Sequence, residues 1–409
     1  MEILIIGQTS LHWGRMEFGN IGNYYILEPL IRQLHSFFPN SSIRTTLQLS
    51  ERFCIDEGVQ VLPIELYYNF AINTNLISAR DELALIERYL ISGKFESKTP
   101  YIREVLNSDF VIDFSGDMWG DNANLLGQDR FEVGLIKDLI VQKLNIPIFL
   151  IAGSPGPFNN PKTRKLAQEV FNGFRLVTNR EPISSEILLS EGFNISNSIN
   201  LACPSFLFES SKPNSLEKII DQKKLNGFKP MVGFIICGWN FTIGPFDKWP
   251  RDDKEYLFFA EAIELITNEL GARVYLMSHS NGFPIPPKKF RLKHGRDYEV
   301  VSQLKKVIDN RGKTDDVRLL NGVYDPWTTK AIISKFDMLV TGRVHAAIAA
   351  FSQFIPTVVI DYGHEPKAHK LKGFAKLVGQ ESYLANPKSS NELKKTIIRC
   401  WENKNEIRN

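Results

Sequence analysis

The sequence predicts an α/β fold of two Rossmann-like domains that face each other across a cleft. Short apolar, β-branched segments alternate with amphipathic segments along the chain, the pattern of strands and helices in parallel sheets. The 409 residues exceed what one ordinary hydrophobic core supports, so two domains are expected. A polar stretch broken by Pro and Gly, residues 209–230, separates two such alternating series.

These observations set the predicted domain boundaries. Residues 1–208 form the first Rossmann-like domain, 209–230 the linker and 231–388 the second Rossmann-like domain. Residues 389–409 form a charged, helical tail that packs back on the rest. Ligands bind sheets of this kind beyond the carboxyl ends of their strands, so the loops at those ends are the candidate functional segments.

Composition excludes several classes of protein. Hydrophobic residues make up 43% and charged residues 23%, which is typical of a soluble globular chain. A formal net charge of +3 does not indicate nucleic-acid binding, which needs a strongly basic patch. No apolar run reaches the length of a membrane span, and MEILIIG is predicted to be a strand rather than a signal peptide. Four scattered cysteines fit a reducing compartment, so a cytoplasmic protein is predicted.

The stretch from residue 337 to 370 is predicted to be a strand, helix, strand unit. Asp337–Val340 is a short buried strand, Ala346–Phe354 an Ala-rich buried helix and Thr357–Ile360 a second strand. Arg343 and His345 follow the first strand, where the helix begins. Backbone N–H groups at a helix start favour an anion, and arginine adds a planar fork suited to carboxylate or phosphate.

Two interpretations of Arg343 and His345 are possible. In the functional one they form an anion site with a proton donor beside it, since histidine titrates near neutrality. In the structural one Arg343 pairs with a neighbouring carboxylate and His345 is a satisfied histidine at a helix start. Their position at the carboxyl end of a strand favours function, without deciding it.

Loops of the first domain supply further candidates. The Gly-rich segment Phe18–Asn23 precedes a helix predicted at Tyr24–Phe38, and it contains Asn20 and Asn23 but not the G-x-G-x-x-G fingerprint. Asp117 and Asp121 lie in a Gly-broken loop after the strand Asp109–Phe114. Either could be a catalytic acid, and an Asx-turn or helix cap is equally plausible for each. Other polar residues that line the predicted cleft are Ser154, Arg180, Glu181, His279, Tyr362, His364 and Lys367.

A metal site is not predicted. His364 and His369 lie near Asp361, but a spacing of five residues does not place two ligands on one helix face.

The motifs GNIGN, SGDMWGDN, SPGPF, TNREPIS, CPSF and TGRVHAAIAAFSQFIPTVVIDYGHEPK occur in order from about Ile3 to Tyr383. Together they resemble the polysaccharide pyruvyl transferase family, and the Arg-Val-His-Ala segment with its helix and strand is the most specific of them. Two positions depart from the family pattern. The chain has Gly22-Asn23 where members usually have Gly-Asp, and Gly116-Asp117 where they usually have Gly-Gly.

The resemblance implies a GT-B-like fold and transfer of pyruvate from phosphoenolpyruvate to two hydroxyls of a sugar, which makes a cyclic ketal. It implies donor binding by Arg180, Arg343 and His345, and we extend this group to Val344 and Lys367. His345 is the candidate general acid, and Asp117 or Asp121 the candidate base. No cofactor is expected beyond phosphoenolpyruvate as co-substrate.

Two other functions remain open at this stage. A GT-B glycosyltransferase that uses a nucleotide sugar would need a clamp for base and ribose in the second domain, where Glu365 is the sole candidate. A non-catalytic glycan-binding relative would fit Asn23 and Asp117. The expected partners are phosphoenolpyruvate and a sugar or glycan acceptor, free or lipid-linked, without nucleic acid. Membrane association is at most peripheral, at the inner face, through the tail Ser389–Asn409.

Overall fold

The computed structural model describes residues 1–210, 219–220, 229–246, 248–312, 315–363 and 368–408. Most of the predicted linker lies outside these residues, as do His364, Glu365 and Lys367. The chain divides into two compact units. The first unit is Met1–Met16 with Leu30–Cys203, and the second is Glu17–Pro29 with Pro204–Asn409.

The first unit is built on a parallel sheet of seven strands. In chain order these strands are β1 Glu2–Ile6, β2 Ser42–Thr45, β3 Val59–Val61, β4 Phe110–Asp113, β5 Ile148–Gly153, β6 Leu176–Asn179 and β7 Ser198–Asn200. Their order across the sheet is β3-β2-β1-β4-β5-β6-β7. The direction of chain progress reverses between β1 and β4, which is the point where such sheets bind ligands.

Helices of the first unit cover this sheet. The helices in the first half of the chain are α1 Met16–Gly19, α2 Ile21–Phe37, α3 Glu51–Glu57, α4 Asn75–Ser92, α5 Pro100–Leu106, α6 Arg130–Lys143, α7 Pro161–Gly173 and α8 Ile183–Ser190. Trp119 lies at the centre of the core, fully buried, with its ring edge-on to five phenylalanines. The division between the units falls inside α2, at Pro29.

The second unit repeats the same plan. Its parallel strands are β8 Met231–Ile235, β9 Arg273–Leu276, β12 Val317–Leu319, β13 Met338–Thr341, β14 Thr357–Ile360 and β15 Leu384–Ala385. They are ordered β12-β9-β8-β13-β14-β15, so the reversal falls between β8 and β13. Two further short strands, β10 Asn281–Gly282 and β11 Lys293–His294, pair antiparallel.

Seven helices are described between Pro204 and Arg408. They are α9 Leu257–Asn268, α10 Arg296–Asn310, α11 Pro326–Ile333, α12 Val344–Phe351, α13 Ala368–Leu377, α14 Ser390–Glu402 and α15 Lys404–Arg408. Asp325 caps α11, and its side chain accepts a hydrogen bond of 2.7 Å from the Thr328 N–H. Leu393, Ile397 and Cys400, spaced along one face of α14, are buried in the core of the same unit.

The predicted fold class, two Rossmann-like α/β domains, is confirmed by these two sheets. Two differences from the predicted elements matter for function. Helix α2 begins at Ile21 rather than Tyr24, so Gly22 and Asn23 lie in its first turn and not in a loop. The segment Glu17–Pro29 belongs to the second unit rather than to the predicted domain 1–208. Over the described ranges, no helix combines the length and apolar character needed to span a bilayer.

Candidate active site

In the second unit, predicted functional residues meet at the carboxyl edge of the sheet, around the reversal of strand order. Arg343 and His345 follow β13, and Asn240 follows its neighbour β8. His279 follows β9 on the other side of β8. This edge is therefore the candidate active site of the second unit.

Arg343 is held by a buried carboxylate. Its Nε donates a hydrogen bond of 2.9 Å to Asp297 Oδ2, and its Nη2 donates to Asp297 Oδ1. Asp297 lies in the first turn of α10 and its side chain is 1% exposed, whereas that of Arg343 is 22% exposed. An arginine has five N–H donors, and this bidentate pair uses two of them. The other three remain for an anionic ligand.

The electrostatics of this pair keep Arg343 charged. Burial by itself lowers the pKa of the guanidinium, but the charge of Asp297 and its hydrogen bonds outweigh burial and raise the pKa above its ordinary value. The structural interpretation, in which Arg343 pairs with a carboxylate, is thus confirmed by the ion pair with Asp297. The same pair orients Arg343 at the position where the functional interpretation requires a cation. A fixed fork of this kind suits bidentate recognition of carboxylate or phosphate.

His345 lies in the first turn of α12, next to Val344 at its first position. A Cβ built on Gly22 would overlap the His345 imidazole ring, so the backbone of α2 lies directly against this ring. Only glycine allows this approach, which gives a packing reason for the second glycine of GNIGN. The start of α2 therefore holds the imidazole beside Arg343, at a helix start that favours anions.

The two asparagines near the start of α2 have different environments. The Asn20 side chain accepts a hydrogen bond of 3.1 Å from the Gly22 N–H, so Asn20 acts as a helix cap. Asn23 is half-buried in the first turn of the helix. The predicted contact of both residues with an acceptor stays a prediction.

His279 is buried behind Arg343. Its ring lies edge-on to Tyr25, 5.6 Å between ring centroids, and Tyr25 donates a hydrogen bond of 3.1 Å to the Pro326 carbonyl. Burial and the charge of Arg343 lower the pKa of His279 to about 3. His279 is therefore neutral near pH 7 and does not suit the role of proton donor.

The loop after β8 is tied to the strand ends on both sides. The Asn240 amide donates hydrogen bonds to the carbonyls of Gly342 and Ile360, 3.4 and 3.3 Å long. Its oxygen accepts one of 2.9 Å from the Cys237 N–H. These hydrogen bonds fix the loop that contains Trp239. The Trp239 ring stacks on the Phe246 ring, with 4.9 Å between the ring centroids. The Trp239 ring also lies 6.3 Å from Tyr362, the predicted cleft residue after β14.

In the first unit, two predicted loops are joined at the carboxyl edge of the sheet. The Gly156 N–H donates to the Trp119 carbonyl at 2.9 Å, and the Asp121 N–H donates to the Pro157 carbonyl at 2.9 Å. Asp121 Oδ2 accepts hydrogen bonds from the N–H groups of Asn159 and Asn160. Asp121 thus has the turn-capping role that the sequence left open, while Asp117 is half-exposed in the same loop.

Arg180 and Ser154 lie together in the first unit. Arg180 follows β6, is 6% exposed and donates a hydrogen bond of 2.8 Å to Ser154 Oγ. The Glu181 carboxylate accepts hydrogen bonds from the N–H groups of Ile183 and Ser184 at the start of α8. Burial raises the pKa of Glu181, and these hydrogen bonds give its carboxylate a structural role.

A buried polar cluster that the sequence analysis missed lies beneath this edge. Asp113 is fully buried at the end of β4 and accepts hydrogen bonds from the Ser115 N–H and hydroxyl. Burial raises the pKa of Asp113 to about 6, and burial together with the charge of Asp113 raises the pKa of Asp138 well above its usual range. Arg130, also buried, is the nearby cation.

Known proteins resemble this chain over most of its length. The sequence profile of a family described as polysaccharide pyruvyl transferase matches residues 20–364. The chain belongs to this family. A curated relative, the amylovoran biosynthesis protein AmsJ of Erwinia amylovora, is 23% identical over 390 residues, which cover 89% of this chain and 84% of that protein. The polysaccharide pyruvyl transferase family consists of transferases of polysaccharide biosynthesis, and this places the chain among them.

Solved structures share the fold. A glycosyltransferase from Rickettsia africae superposes with a TM-score of 0.58 and 12% identity, covering 100% of this chain and 92% of that one. A UDP-GlcNAc 2-epimerase from Neisseria meningitidis, bound to UDP-GlcNAc, superposes with a TM-score of 0.54 and 12% identity. The match covers 100% of this chain and 94% of that one. The GT-B-like class is confirmed by this likeness.

For this pyruvyl transferase family member, sequence reasoning missed three residues of the candidate site. Trp239 and Asn240 lie four and five residues after the end of β8, and Asp297 is the second residue of α10. The signal for Asp297 was an acid directly after a basic loop, close to the start of a helix. Within the described ranges, no group of three or more His, Cys, Asp or Glu side chains could hold a metal ion.

Proposed function

We propose that this transferase moves pyruvate from phosphoenolpyruvate to two hydroxyls of a sugar in a cell-surface polysaccharide or its precursor, forming a cyclic ketal. The observation that carries the proposal is the Arg343 fork, oriented by buried Asp297 and lying beside His345 at the start of α12. Family membership supports the same reaction class.

Phosphoenolpyruvate suits the charges of this site. It carries a carboxylate and a phosphate, and a guanidinium with three remaining N–H donors can donate two hydrogen bonds to the oxygens of either group. The N–H groups of Val344 and His345, at the start of α12, can take further oxygens. Arg180 of the first unit keeps the donor-binding role that the family resemblance implies.

The proposed chemistry requires a proton donor. As a sugar hydroxyl adds to C2 of phosphoenolpyruvate, the double bond opens and C3 takes a proton to become a methyl group. His345 supplies that proton as imidazolium and is the proposed general acid. A second hydroxyl of the same sugar then displaces phosphate from C2, which closes the ketal ring. Arg343 stabilises the negative charge of the departing phosphate.

The hydroxyls also need a base. Asp117 is the proposed base because this residue is half-exposed at the carboxyl edge of the first sheet. Asp121 suits this role less, because Oδ2 already accepts two backbone N–H groups of the neighbouring loop. The two candidates can be separated by replacing each with asparagine, since Asp117→Asn should lower kcat and Asp121→Asn should mainly lower stability.

A binding experiment tests the donor. Phosphoenolpyruvate in hundredfold excess over its dissociation constant should stabilise the protein by about 2.7 kcal/mol, visible as a rise in Tm. Arg343→Lys keeps the positive charge opposite Asp297 but loses the fork, so most of this rise should disappear. Arg311→Lys, which alters an exposed pair with Glu264, is the matched control.

Uridine diphosphate is the comparison ligand in the same experiment. Stabilisation by uridine diphosphate and none by phosphoenolpyruvate would support a glycosyltransferase that uses a nucleotide sugar. Phosphoenolpyruvate binding without phosphate release, with any hexose-bearing acceptor, would support the non-catalytic relative.

A further inference from the structure

Residues 281–295 form an arm of unusual charge, named here the basic arm. Its fifteen residues include four basic side chains, Lys288, Lys289, Arg291 and Lys293, and no acidic one. The whole chain has a formal net charge of +3, so the net charge of this short segment exceeds the net charge of the entire chain. Such a concentration attracts anionic surfaces even though the overall charge is small.

The basic arm also presents apolar side chains to solvent. Ile285 is 50% exposed and Phe290 is 40% exposed, and both prolines between Ile285 and Lys288 are exposed as well. Large apolar side chains beside lysines and arginines are typical of surfaces that enter the headgroup region of a membrane.

The base of the arm is fixed in the second unit. Asn281 pairs with His294 and Gly282 with Lys293 in a short antiparallel ladder. The Asn281 amide donates a hydrogen bond of 2.8 Å to the Tyr324 carbonyl, so the ladder is tied to the loop before α11. The Phe290 ring lies 4.9 Å from Phe18, which holds the tip side of the arm on its unit.

The arm begins and ends beside the candidate active site. His279, next to Arg343, is two residues before the arm, and Asp297, the partner of Arg343, is two residues after it. The Asp297 N–H donates a hydrogen bond of 3.0 Å to Ser280 Oγ, which joins the two ends. A surface contacted by the arm would therefore lie close to the chemistry of the second unit.

We propose that the basic arm docks this protein on an anionic lipid bilayer. Lys288, Lys289 and Arg291 contact the headgroups, and Ile285 enters the boundary with the acyl chains. The charged tail, the predicted membrane contact, fits this role less well, because α14 buries its apolar face in the core of its own unit. Nucleic acid fits less well than a bilayer, because the apolar side chains of the arm need an apolar partner.

Vesicle sedimentation tests this proposal with the full-length protein. The protein should bind phosphatidylglycerol-containing vesicles and not pure phosphatidylcholine vesicles, with binding that weakens as salt is added. Each lysine near an anionic surface contributes about fivefold, so Lys288→Ser/Lys289→Ser should lower the partition coefficient roughly thirtyfold. The control, Lys162→Ser/Lys165→Ser, removes two equally exposed lysines from α7 and should have little effect.

The variant Ile285→Ser distinguishes binding to a membrane from binding to a soluble polyanion. It should weaken vesicle binding and leave binding to soluble hyaluronate unchanged, because only the bilayer offers an apolar phase. Three results would overturn the proposal. The first is that the protein does not bind anionic vesicles, and the second is that the two double variants lose vesicle binding equally. The third is that the protein binds hyaluronate as tightly as vesicles and that Ile285→Ser changes neither affinity. Phosphoenolpyruvate binding, followed by the change in Tm, should be the same in every variant and shows that each remains folded.

Discussion

At the scale of single residues, the Arg343–Asp297 pair decides which substitutions are informative. Removing one partner of a buried ion pair leaves an uncompensated charge and typically costs about 3–5 kcal/mol of stability. Arg343→Ala would leave Asp297, 1% exposed, without its cation, so a loss of ligand binding could reflect misfolding. Conservative changes at this pair separate folding from binding.

Asp297→Asn is the first such change. Asparagine keeps the size of the side chain and one acceptor oxygen, but the Arg343 fork loses its second acceptor and its orientation. We expect phosphoenolpyruvate affinity to fall about tenfold, equivalent to about 1.4 kcal/mol. Titration calorimetry would measure this, with Asp309→Asn on the exposed end of the same helix as the control. Equal affinities of wild type and Asp297→Asn would contradict an orienting role.

Asp138 allows a prediction about pH. Folding raises the pKa values of Asp113 and Asp138, so the folded state binds more protons than the unfolded one. The stability from these carboxyls is complete below about pH 4 and is lost as pH rises through about 6 and beyond. Asp138→Asn removes one of them while keeping its shape.

We therefore expect Asp138→Asn to raise the free energy of unfolding at about pH 8, with little change near pH 4. The groups that face the pair are Arg130, Ser115, Trp119, Tyr67 and Tyr101, and none of them titrates in this range. Urea denaturation at the two pH values is the measurement, and Asp81→Asn on the exposed face of α4 is the control. A gain of the same size at both pH values would contradict the assignment.

At the scale of elements, the start of helix α2 positions His345. Alanine at position 22 should favour the helix by up to about 1 kcal/mol, since glycine is a poor helix former. Its Cβ, however, would overlap the imidazole ring. We expect Gly22→Ala to lower kcat at least tenfold with little change in Tm, because His345 must leave its position.

A double-mutant cycle checks the cause of this loss. In a His345→Ala background the extra methyl group has space, so Gly22→Ala should then lower the remaining kcat very little. Additive effects of the two substitutions would mean that Gly22 acts independently of His345.

The loop after β8 gives a prediction about the acceptor. Trp239 is held rigidly by the hydrogen bonds of Asn240, and an aromatic ring at the carboxyl edge of the sheet can stack on the apolar face of a sugar. Trp239→Ala should raise the KM for the acceptor about tenfold and leave phosphoenolpyruvate affinity unchanged. Trp239→Phe, which keeps an aromatic ring, should have a KM for the acceptor close to that of the wild type. An effect on the donor alone would assign Trp239 to the other substrate.

The elements also show what a sequence can and cannot predict. Strand ends were predictable because β4, β5, β6, β13 and β14 are short apolar runs that end in Gly or polar residues or are followed directly by one. Arg343 and His345 could be located from one such end. Asp297 could not be paired with Arg343, because they are 46 residues apart and only the neighbouring placement of α10 and β13 brings them together.

At the scale of the whole molecule, the candidate site of the second unit is assembled from distant parts of the chain. The segment Glu17–Pro29 leaves the unit that contains its neighbours in sequence and packs with Pro204–Asn409. Helical periodicity predicts α2, but nothing in its pattern indicates that its first half belongs to another core. This is why the contact between Gly22 and His345 was not predictable, while the two sheets were.

The most direct test of the account is phosphate release from phosphoenolpyruvate in the presence of hexose-bearing acceptors, with the product followed by mass spectrometry. The account predicts that phosphate appears in step with an acceptor heavier by one pyruvate less one water. It also predicts that Arg343→Lys and Gly22→Ala lower the rate while Arg311→Lys does not. Bound phosphoenolpyruvate that is never consumed, whichever acceptor is offered, would contradict the account.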